Sequence, residues 1–208
     1  MPANEYWLPL FPLNTVLFPG GILPLKVFET RYIDMVRDCM KREMPFGVVL
    51  IKSGQEIGEA AEPEDVGCMA HITDWDAPQL GVLLLRTEGG TRFRILETRV
   101  HKDQHLEGRV EIIGHGGPSI LAQEHQGCAN TLKLVIHDIN TKGRAEIGEE
   151  FESPFTENLH LDDAGWVANR WCEILPIPLK ARQKLLEVDD AQTRLTIIQQ
   201  YLQQHEII

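Results

Sequence analysis

The pair of residues whose spacing most resembles a metal site is His101 and His105. Histidines at this separation occur in structural zinc sites, where a second pair of ligands completes the tetrahedral coordination. Here the two histidines flank Lys102 and Asp103 in a polar segment, and the sequence contains no Cys-x-x-Cys motif. We therefore expect a solvated turn at this position, with no metal and no cofactor bound to the chain.

The candidates for a catalytic nucleophile are Ser53, Ser119 and Ser153, the three serines of the chain. None lies in a G-x-S-x-G motif, which exposes a serine at a strand-to-helix turn. Ser119 instead follows two glycines and a proline, a position typical of a helix N-cap. The sequence also contains no Gly-Lys dipeptide, so the phosphate-binding motif G-x-x-x-x-G-K-S/T is absent. We expect neither a catalytic site nor ATPase activity.

The composition is ordinary in hydrophobicity and has a marked excess of acidic residues. The 208 residues include 31 acidic and 20 basic side chains, which gives a formal net charge of −11. This charge works against binding to nucleic-acid phosphates or to anionic membranes. The cysteines are widely spaced, which favours reduced and packed thiols. Because the N-terminus lacks the basic and apolar regions of a signal peptide, we expect a cytoplasmic protein.

The elements that would position these side chains begin with the stretch from Leu8 to Met40. Short apolar runs broken by prolines predict a first strand, and Pro19-Gly20-Gly21 predicts a sharp turn. Residues 22–28 predict a second strand. From Thr30, which we expect to be the N-cap, apolar residues recur at helical spacing.

Further β-prone segments follow in the first half of the chain. The predicted strands are residues 46–51, 66–73, 80–86, 91–98 and 106–113. Residues 74–78, which include Trp75, are predicted to form one hairpin connection, and Glu88-Gly89-Gly90 another. The first half is therefore expected to be rich in β-structure.

A glycine-rich break at residues 114–118 separates this half from a helical one. Beyond the break, apolar residues recur at helical spacing between residues 121 and 139, which predicts a long helix. Residues 140–158 are polar and aperiodic, and predict a loop with at most one helical turn. Asp162 or Asp163 is expected to cap a second helix, which two prolines end before a helical tail.

Two segments of the sequence carry a family resemblance. Residues 8–32, with the pattern LPLFPL..VLFPGG.LPL..FE.RY, resemble the opening of the substrate-binding N-terminal domain of Lon-type ATP-dependent proteases. Residues 175–202, LPIPLKARQKLLEVDDAQTRLTIIQQYL, are similar to the helical end of the same domain. The resemblance implies an α+β fold, in which a PUA-like β-barrel subdomain with one packed helix (residues 1–118) precedes a helical bundle subdomain (residues 119–208). Because the phosphate-binding motif and a serine-nucleophile motif are absent, we expect a stand-alone member of the family, without the ATPase and peptidase domains.

By this resemblance we expect a non-catalytic module that binds polypeptide or acts as an adaptor. The expected partners are unfolded or partly folded polypeptides, with a protease or chaperone as a further candidate, and neither nucleic acid nor membrane. Phe18, beside the Pro-Gly-Gly turn, and Trp75, at a hairpin tip, are the aromatic residues expected to be exposed and to contact peptide. The sequence leaves the oligomeric state open.

Two other functions are compatible with the sequence. Nucleic-acid binding is indicated by the PUA-like barrel and by arginines on neighbouring predicted strands, although the net charge opposes it. These arginines are Arg86, Arg92, Arg94 and Arg99. An enzyme of unrecognised type would use the cleft between barrel and bundle, and a small molecule bound there would identify it.

Overall fold

The computed structural model describes residues 5–114 and 119–208. Residues 115–118 of the predicted glycine-rich break lie outside the described residues. Contacts between residues divide the chain into two units. The strand unit contains the described residues up to 114 together with Pro178–Glu187, and the helical unit contains residues 119–177 together with Val188–Ile208.

The two units differ in their secondary structure. The strand unit contains β1 (Glu5–Leu13), β2 (Ile22–Val27), α1 (Thr30–Arg42), β3 (Phe46–Ser53), β4 (Glu62–Pro63), β5 (Val66–Gln79), β6 (Val82–Val100), β7 (Leu106–Ile113) and α4 (Leu179–Glu187). The helical unit contains α2 (Gln126–Ile147), α3 (Ala164–Ile174) and α5 (Ala191–Gln204), with short 3₁₀ turns at Gln123–His125 and Gly148–Glu150. The predicted order, a β-rich first half followed by helices, is confirmed.

Five strands of the strand unit close into a barrel. β1 runs antiparallel to β7 and parallel to β3, where Phe11 lies opposite Val48. The order β7-β6-β5-β3 completes the ring. β2 pairs antiparallel with the first part of β6 as an additional strand of the same sheet. The short β4 pairs antiparallel with the end of β3. The fold class implied by the family resemblance, a barrel with one packed helix followed by a helical part, is confirmed.

The barrel interior is filled around Phe93 of β6, which is fully buried. Its ring fits because β3 and β5 carry Gly47 and Gly67 against it, and a Cβ at either position would lie within 3.0 Å of the ring. The other residues of this core are Leu8, Leu10, Val49, Met69, Leu106 and Val110. A second core cluster packs the apolar face of α1 on the sheet and includes Val27, Tyr32, Val36, Phe46, Leu83 and Leu85.

The turn at Pro19-Gly20-Gly21 forms as the sequence predicts. Gly20 has a φ of 71°, and the amide of Gly21 donates to the carbonyl oxygen of Phe18 at 2.9 Å. Glycine is favoured at the third position of such a turn because other side chains are strained at positive φ. The prediction that Phe18 is exposed is wrong, since its side chain is 0% exposed. The turn folds back on β6, where the amide of Gly20 donates to the carbonyl oxygen of Gly89 at 2.6 Å.

β5 and β6 form one long hairpin, whereas the sequence predicted turns at residues 74–78 and 88–90. β5 continues to Gln79, so Trp75 lies within a strand, opposite Leu85, and not at a tip. The chain reverses instead at residues 80–81, where Gly81 has a φ of 81°. β6 runs on through Gly89-Gly90 without a turn. Both predicted turns are wrong, because pairing with β6 holds residues 74–78 extended, and pairing with β5 and β2 holds residues 88–90 extended.

α4 belongs to the strand unit, whereas the sequence assigned all residues after 118 to the helical subdomain. Two buried side chains hold it there. Arg92 of β6 donates to the carbonyl oxygen of Leu186 at 2.6 Å, and the side-chain amide of Gln183 donates to the carbonyl oxygen of Val66 at 3.0 Å. The strand unit is therefore assembled from two separate parts of the sequence.

The helix caps agree with the sequence at one position and differ at two. Asp163 caps α3, since its carboxylate accepts from the amides of Gly165 and Trp166 at 2.7 and 3.2 Å. Thr30 is the first residue of α1 and follows the cap position, so it is not the predicted cap. Ser119 is not a cap either, because the first helical turn begins only at residue 123.

α2 is longer than predicted. It continues to Ile147, so the prediction of a loop is wrong over residues 140–147. An ion pair between Lys142 and Asp138, at 2.7 Å and one helical turn apart, favours helix in this polar segment. Cys128 and Leu132 lie on the buried face, as predicted. No helix in the described part of the chain combines the length and the apolar composition needed to cross a membrane.

Candidate functional site

The serines considered as nucleophiles are hydrogen-bonded within the fold. Ser119 and Ser153 bond to side-chain amides at 3.1 and 2.9 Å. Ser53 donates to the Glu62 carboxylate at 2.8 Å. Activation of a serine requires a neighbouring base that takes its proton. The side-chain amides are not bases, and hydrogen bonds from Lys52 and Ser53 lower the pKa of the exposed Glu62 carboxylate, which makes it a weak one.

The four cysteines are free thiols and all are buried, as the sequence predicted. Burial, together with the charge of Asp38 and against a smaller opposite effect of Arg42, raises the pKa of the Cys39 thiol to about 11. Burial likewise raises the pKa of the Cys128 thiol to about 11. Because the thiolate is the reactive form, thiols with such values are poor nucleophiles at neutral pH. Cys39 and Cys128 therefore act as packing residues.

Two of the four arginines that indicated nucleic-acid binding are engaged within the strand unit. Arg92 is buried and binds the carbonyl oxygen of Leu186. Arg99 forms an ion pair with Glu107 at 2.5 Å, and its guanidinium lies 4.0 Å from the centroid of the Trp7 ring. Side chains committed in this way are poorly available to a phosphate backbone.

An exposed apolar surface lies at the end of the β5–β6 hairpin. Trp75 is 53% exposed, and Leu80, in the turn, is fully exposed. Ala77 is exposed and Val82 is half-buried in the same region. We call these four residues the arm surface. Ala77, Leu80 and Val82 line one cavity, and Trp75 lies further along β5. A contiguous apolar surface left in water is typical of a site that a partner covers.

A cavity of about 280 Å³ lies between the arm surface and α1. Its lining residues are Ile33, Arg37, Ala77, Gln79, Leu80, Gly81, Val82 and Leu83. Pockets for drug-sized ligands measure roughly 300–1,000 Å³, so this cavity lies just below that range. It suits one or two side chains of an extended polypeptide.

Acidic residues flank the arm surface. Asp74 and Asp76 are exposed on either side of Trp75 in the sequence. Each carboxylate accepts a bond from the following backbone amide, that of Trp75 at 2.9 Å and that of Ala77 at 2.7 Å. These bonds restrain the two negative charges. Because successive side chains of a strand point to opposite faces, the charges lie on the other face of β5 from Trp75 and Ala77.

A second concave surface, of about 270 Å³, lies beside β2. Phe11 and Tyr32 contribute to its lining, and their rings stack with centroids 4.1 Å apart. Phe28 and Ile57 also line it and are more than half exposed. We call this the β2 groove.

Of the two residues predicted to contact peptide, Trp75 lies on the arm surface and Phe18 is buried. Leu80 was missed by the sequence reasoning. The available signal was a large apolar residue directly before Gly81, in a position where a turn normally carries polar residues. Because the turn was predicted at residues 74–78, Leu80 was expected in a strand and its exposure was not predicted.

Comparison with known proteins agrees with this fold. The profile of the ATP-dependent protease La (LON) substrate-binding domain matches residues 7–204. The chain belongs to this family. The crystal structure of a Lon N-terminal domain protein from Xanthomonas campestris is 34% identical and has a TM-score of 0.74, over 94% of this chain and 98% of that one.

Longer relatives in the LON family match along nearly the whole of this chain. The Lon protease of Anaeromyxobacter dehalogenans is 26% identical over 202 residues, which are 94% of this chain and 23% of the relative. Lon protease 2 of Myxococcus xanthus matches with the same identity and coverage. The chain thus spans about a quarter of the length of these proteins. The N-terminal domain of the Mycobacterium avium complex Lon protease, at 16% identity and a TM-score of 0.64, shares the fold.

Proposed function

We propose that the protein is a non-catalytic module that binds unfolded polypeptide segments through the arm surface. The observation that carries the proposal is Leu80, a large apolar side chain fully exposed in a β-turn. Membership of a substrate-binding domain family supports the same function. A role as an adaptor that delivers bound polypeptide to a protease or chaperone is the finer form of this proposal.

Leu80 gains no burial energy in its own fold, because its side chain stays in water when the chain is folded. Covering roughly 200 Å² of apolar area on Leu80 and Trp75 would contribute about 5 kcal/mol before the cost of ordering a flexible ligand. The net affinity for one segment is therefore weak. Because apolar burial is non-directional, segments of many different sequences are bound.

The charge around the arm surface defines the ligand further. Asp74 and Asp76, the sequence neighbours of Trp75, carry negative charge on the other face of β5, and the whole chain has a formal charge of −11. Positive groups on the ligand are attracted to such a surface, and acidic ones are repelled. The preferred ligand is an extended segment that contains both apolar residues and lysine or arginine.

Substitutions on the arm surface test the proposal by titration of a labelled, permanently unfolded polypeptide into the full chain. Leu80→Asp and Trp75→Ala should each lower the affinity about fivefold or more, which corresponds to about 1 kcal/mol of lost apolar contact. Leu134→Asp is the matched control, because Leu134 is 69% exposed but lies on α2 in the helical unit. It should leave the affinity unchanged.

The arm surface is the wrong site if neither Leu80→Asp nor Trp75→Ala changes the affinity. A further variant, Phe28→Asp, separates the arm surface from the β2 groove. Loss of binding in Phe28→Asp alone would place the ligand in that groove and contradict the proposal.

A further inference from the structure

The connection between β6 and β7 brings two histidines together. The amide of His101 donates to the carbonyl oxygen of His105 at 3.0 Å, and Gln104 between them has a φ of 68°. The two imidazole rings stack, with centroids 4.0 Å apart and an interplanar angle of 8°. The segment is a turn, as the sequence predicted, but its histidine side chains form a pair.

Glu107 adds a carboxylate to this pair. It is the second residue of β7, and His105 directly precedes that strand. The Glu107 Oε2 atom is 2.6 Å from Nε2 of His101. One ligand atom from each of the three residues lies within 4.8 Å of the other two.

These distances are close to those of a metal site. Ligand atoms bound tetrahedrally at about 2.0–2.1 Å from Zn²⁺ are about 3.4 Å apart. All separations here are within 4.8 Å, so no pair must approach by more than about 1.4 Å (4.8 minus 3.4), and His101 Nε2 and Glu107 Oε2, now 2.6 Å apart, must separate by about 0.8 Å. Rotation of side chains on a half-buried turn covers such a distance, and the backbone can stay in place.

Asp103 orients one of the histidines. Its Oδ1 atom lies 2.7 Å from Nδ1 of His105. An ionised carboxylate can only accept a hydrogen bond, so Nδ1 is the donor, and in the neutral imidazole Nε2 keeps the lone pair that a metal needs. Pairs of a carboxylate and a histidine orient the imidazole in many metal sites in this way.

Arg99 competes for Glu107. Its guanidinium donates to Glu107 Oε2 from Nε at 2.7 Å and forms an ion pair with the same oxygen at 2.5 Å. This contact stabilises the ionised carboxylate in the absence of a metal, and the guanidinium charge repels an approaching metal cation. Removal of Arg99 should therefore strengthen metal binding, an effect that a purely structural cluster does not predict.

We propose that His101, His105 and Glu107 bind a divalent transition-metal ion of the Zn²⁺ class. Two imidazoles and a carboxylate suit Zn²⁺, Ni²⁺ and Cu²⁺, whereas Mg²⁺ and Ca²⁺ prefer oxygen ligands alone. Three protein ligands leave a fourth position for water or for a group from another molecule. This site is separate in the sequence from the arm surface and does not depend on polypeptide binding.

Titration of the full chain with ZnCl₂ by calorimetry, and with CoCl₂ by visible absorption, tests the proposal. One ion should bind per chain, and His101→Ala and His105→Ala should each lower the affinity about tenfold or more. Asp103→Asn should lower it about tenfold, because the orienting carboxylate is lost. Arg99→Gln should raise it. His137→Ala, which removes an exposed histidine of α2, is the control and should change nothing.

The site is contradicted if no saturable binding of Zn²⁺ occurs below about 1 mM, or if both histidine variants bind as the parent chain does. An Arg99→Gln variant with unchanged or weaker affinity would show that Glu107 is not a ligand, and would also overturn the proposal. His101→Gln and His105→Gln, which keep a polar side chain of similar size, provide the same test if the alanine variants are destabilised.

Discussion

The carbonyl oxygen of Phe18 lies against Gly89, and a Cβ at position 89 would fall within 3.0 Å of it. The amide of Gly20 donates to the carbonyl oxygen of Gly89 at 2.6 Å, and the amide of Gly89 donates to that of Gly21 at 2.8 Å. Backbone hydrogen bonds therefore join the Pro-Gly-Gly turn to β6 at Gly89. Only glycine, which has no Cβ, allows the two backbones to approach so closely there.

Gly89→Ala should lower the free energy of unfolding by about 1–3 kcal/mol, because a methyl group is forced against the backbone oxygen of Phe18. Gly127→Ala in α2 is the control, since nothing lies within 4 Å of a Cβ there. It should be neutral or stabilising by up to about 1 kcal/mol, because alanine favours helix. Urea unfolding of both variants measures this, and equal effects at the two positions would contradict the role assigned to Gly89.

The same glycine explains where sequence reasoning failed in the strand unit. Gly89-Gly90 was interpreted as a turn, yet β6 continues through both residues because β2 and β5 pair on its two sides. The extended residues 91–98, which include Phe93, and the strand at residues 106–113 were predicted correctly, since their apolar alternation is local in sequence. A close backbone approach gives the same local pattern as a turn, so the sequence alone does not distinguish the two.

The candidate sites depend on contacts between residues that are distant in sequence. Trp75 was predicted as an exposed aromatic residue, but the neighbouring cavity requires α1, which comes much earlier in the chain. The exposure of Leu80 follows from the position of the turn at residues 80–81, which the sequence did not predict. His101 and His105 were identified from their spacing, whereas the contribution of Glu107 depends on strand register and turn geometry.

Asp163→Ala should lower the free energy of unfolding by about 0.5–2 kcal/mol, because the amides of Gly165 and Trp166 lose their acceptor at the start of α3. Asp162→Ala is the matched control, since it removes the adjacent, exposed acidic residue. Thermal and urea unfolding measure both. If the two variants are destabilised equally, the cap is not the source of the stability.

A chain that ends at residue 118 should be markedly less stable than the full chain, because it lacks α4. Without α4 the buried guanidinium of Arg92 loses the carbonyl oxygen of Leu186, and the Val66 carbonyl loses Gln183. An unsatisfied buried group typically costs about 1–3 kcal/mol, more when it is charged. The same chain with residues 178–187 attached through a flexible glycine-serine linker should recover part of the lost melting temperature. No recovery would contradict the assignment of α4 to the strand unit.

The stability of the chain should fall between about pH 9 and 11, in part because of Cys39. Burial raises the pKa of this thiol from 9.0 to about 11, so the unfolded chain releases the proton at lower pH than the folded one. The contribution is fully present below pH 9 and is lost as the pH rises through the folded value. In Cys39→Ala, the decrease in unfolding free energy over this interval should be smaller. An identical decrease in both chains would show that the thiol does not contribute.

The most direct test of the proposed function compares the two states of a single ligand. A disulfide-containing protein, fluorescently labelled, is titrated into the chain once in its native form and once reduced, alkylated and unfolded. Recognition by apolar burial predicts tighter binding of the unfolded form, with affinity largely retained at moderate salt, because salt screens charges but not apolar contact. Equal affinity for the two forms, or binding abolished by salt alone, would contradict polypeptide recognition through the arm surface.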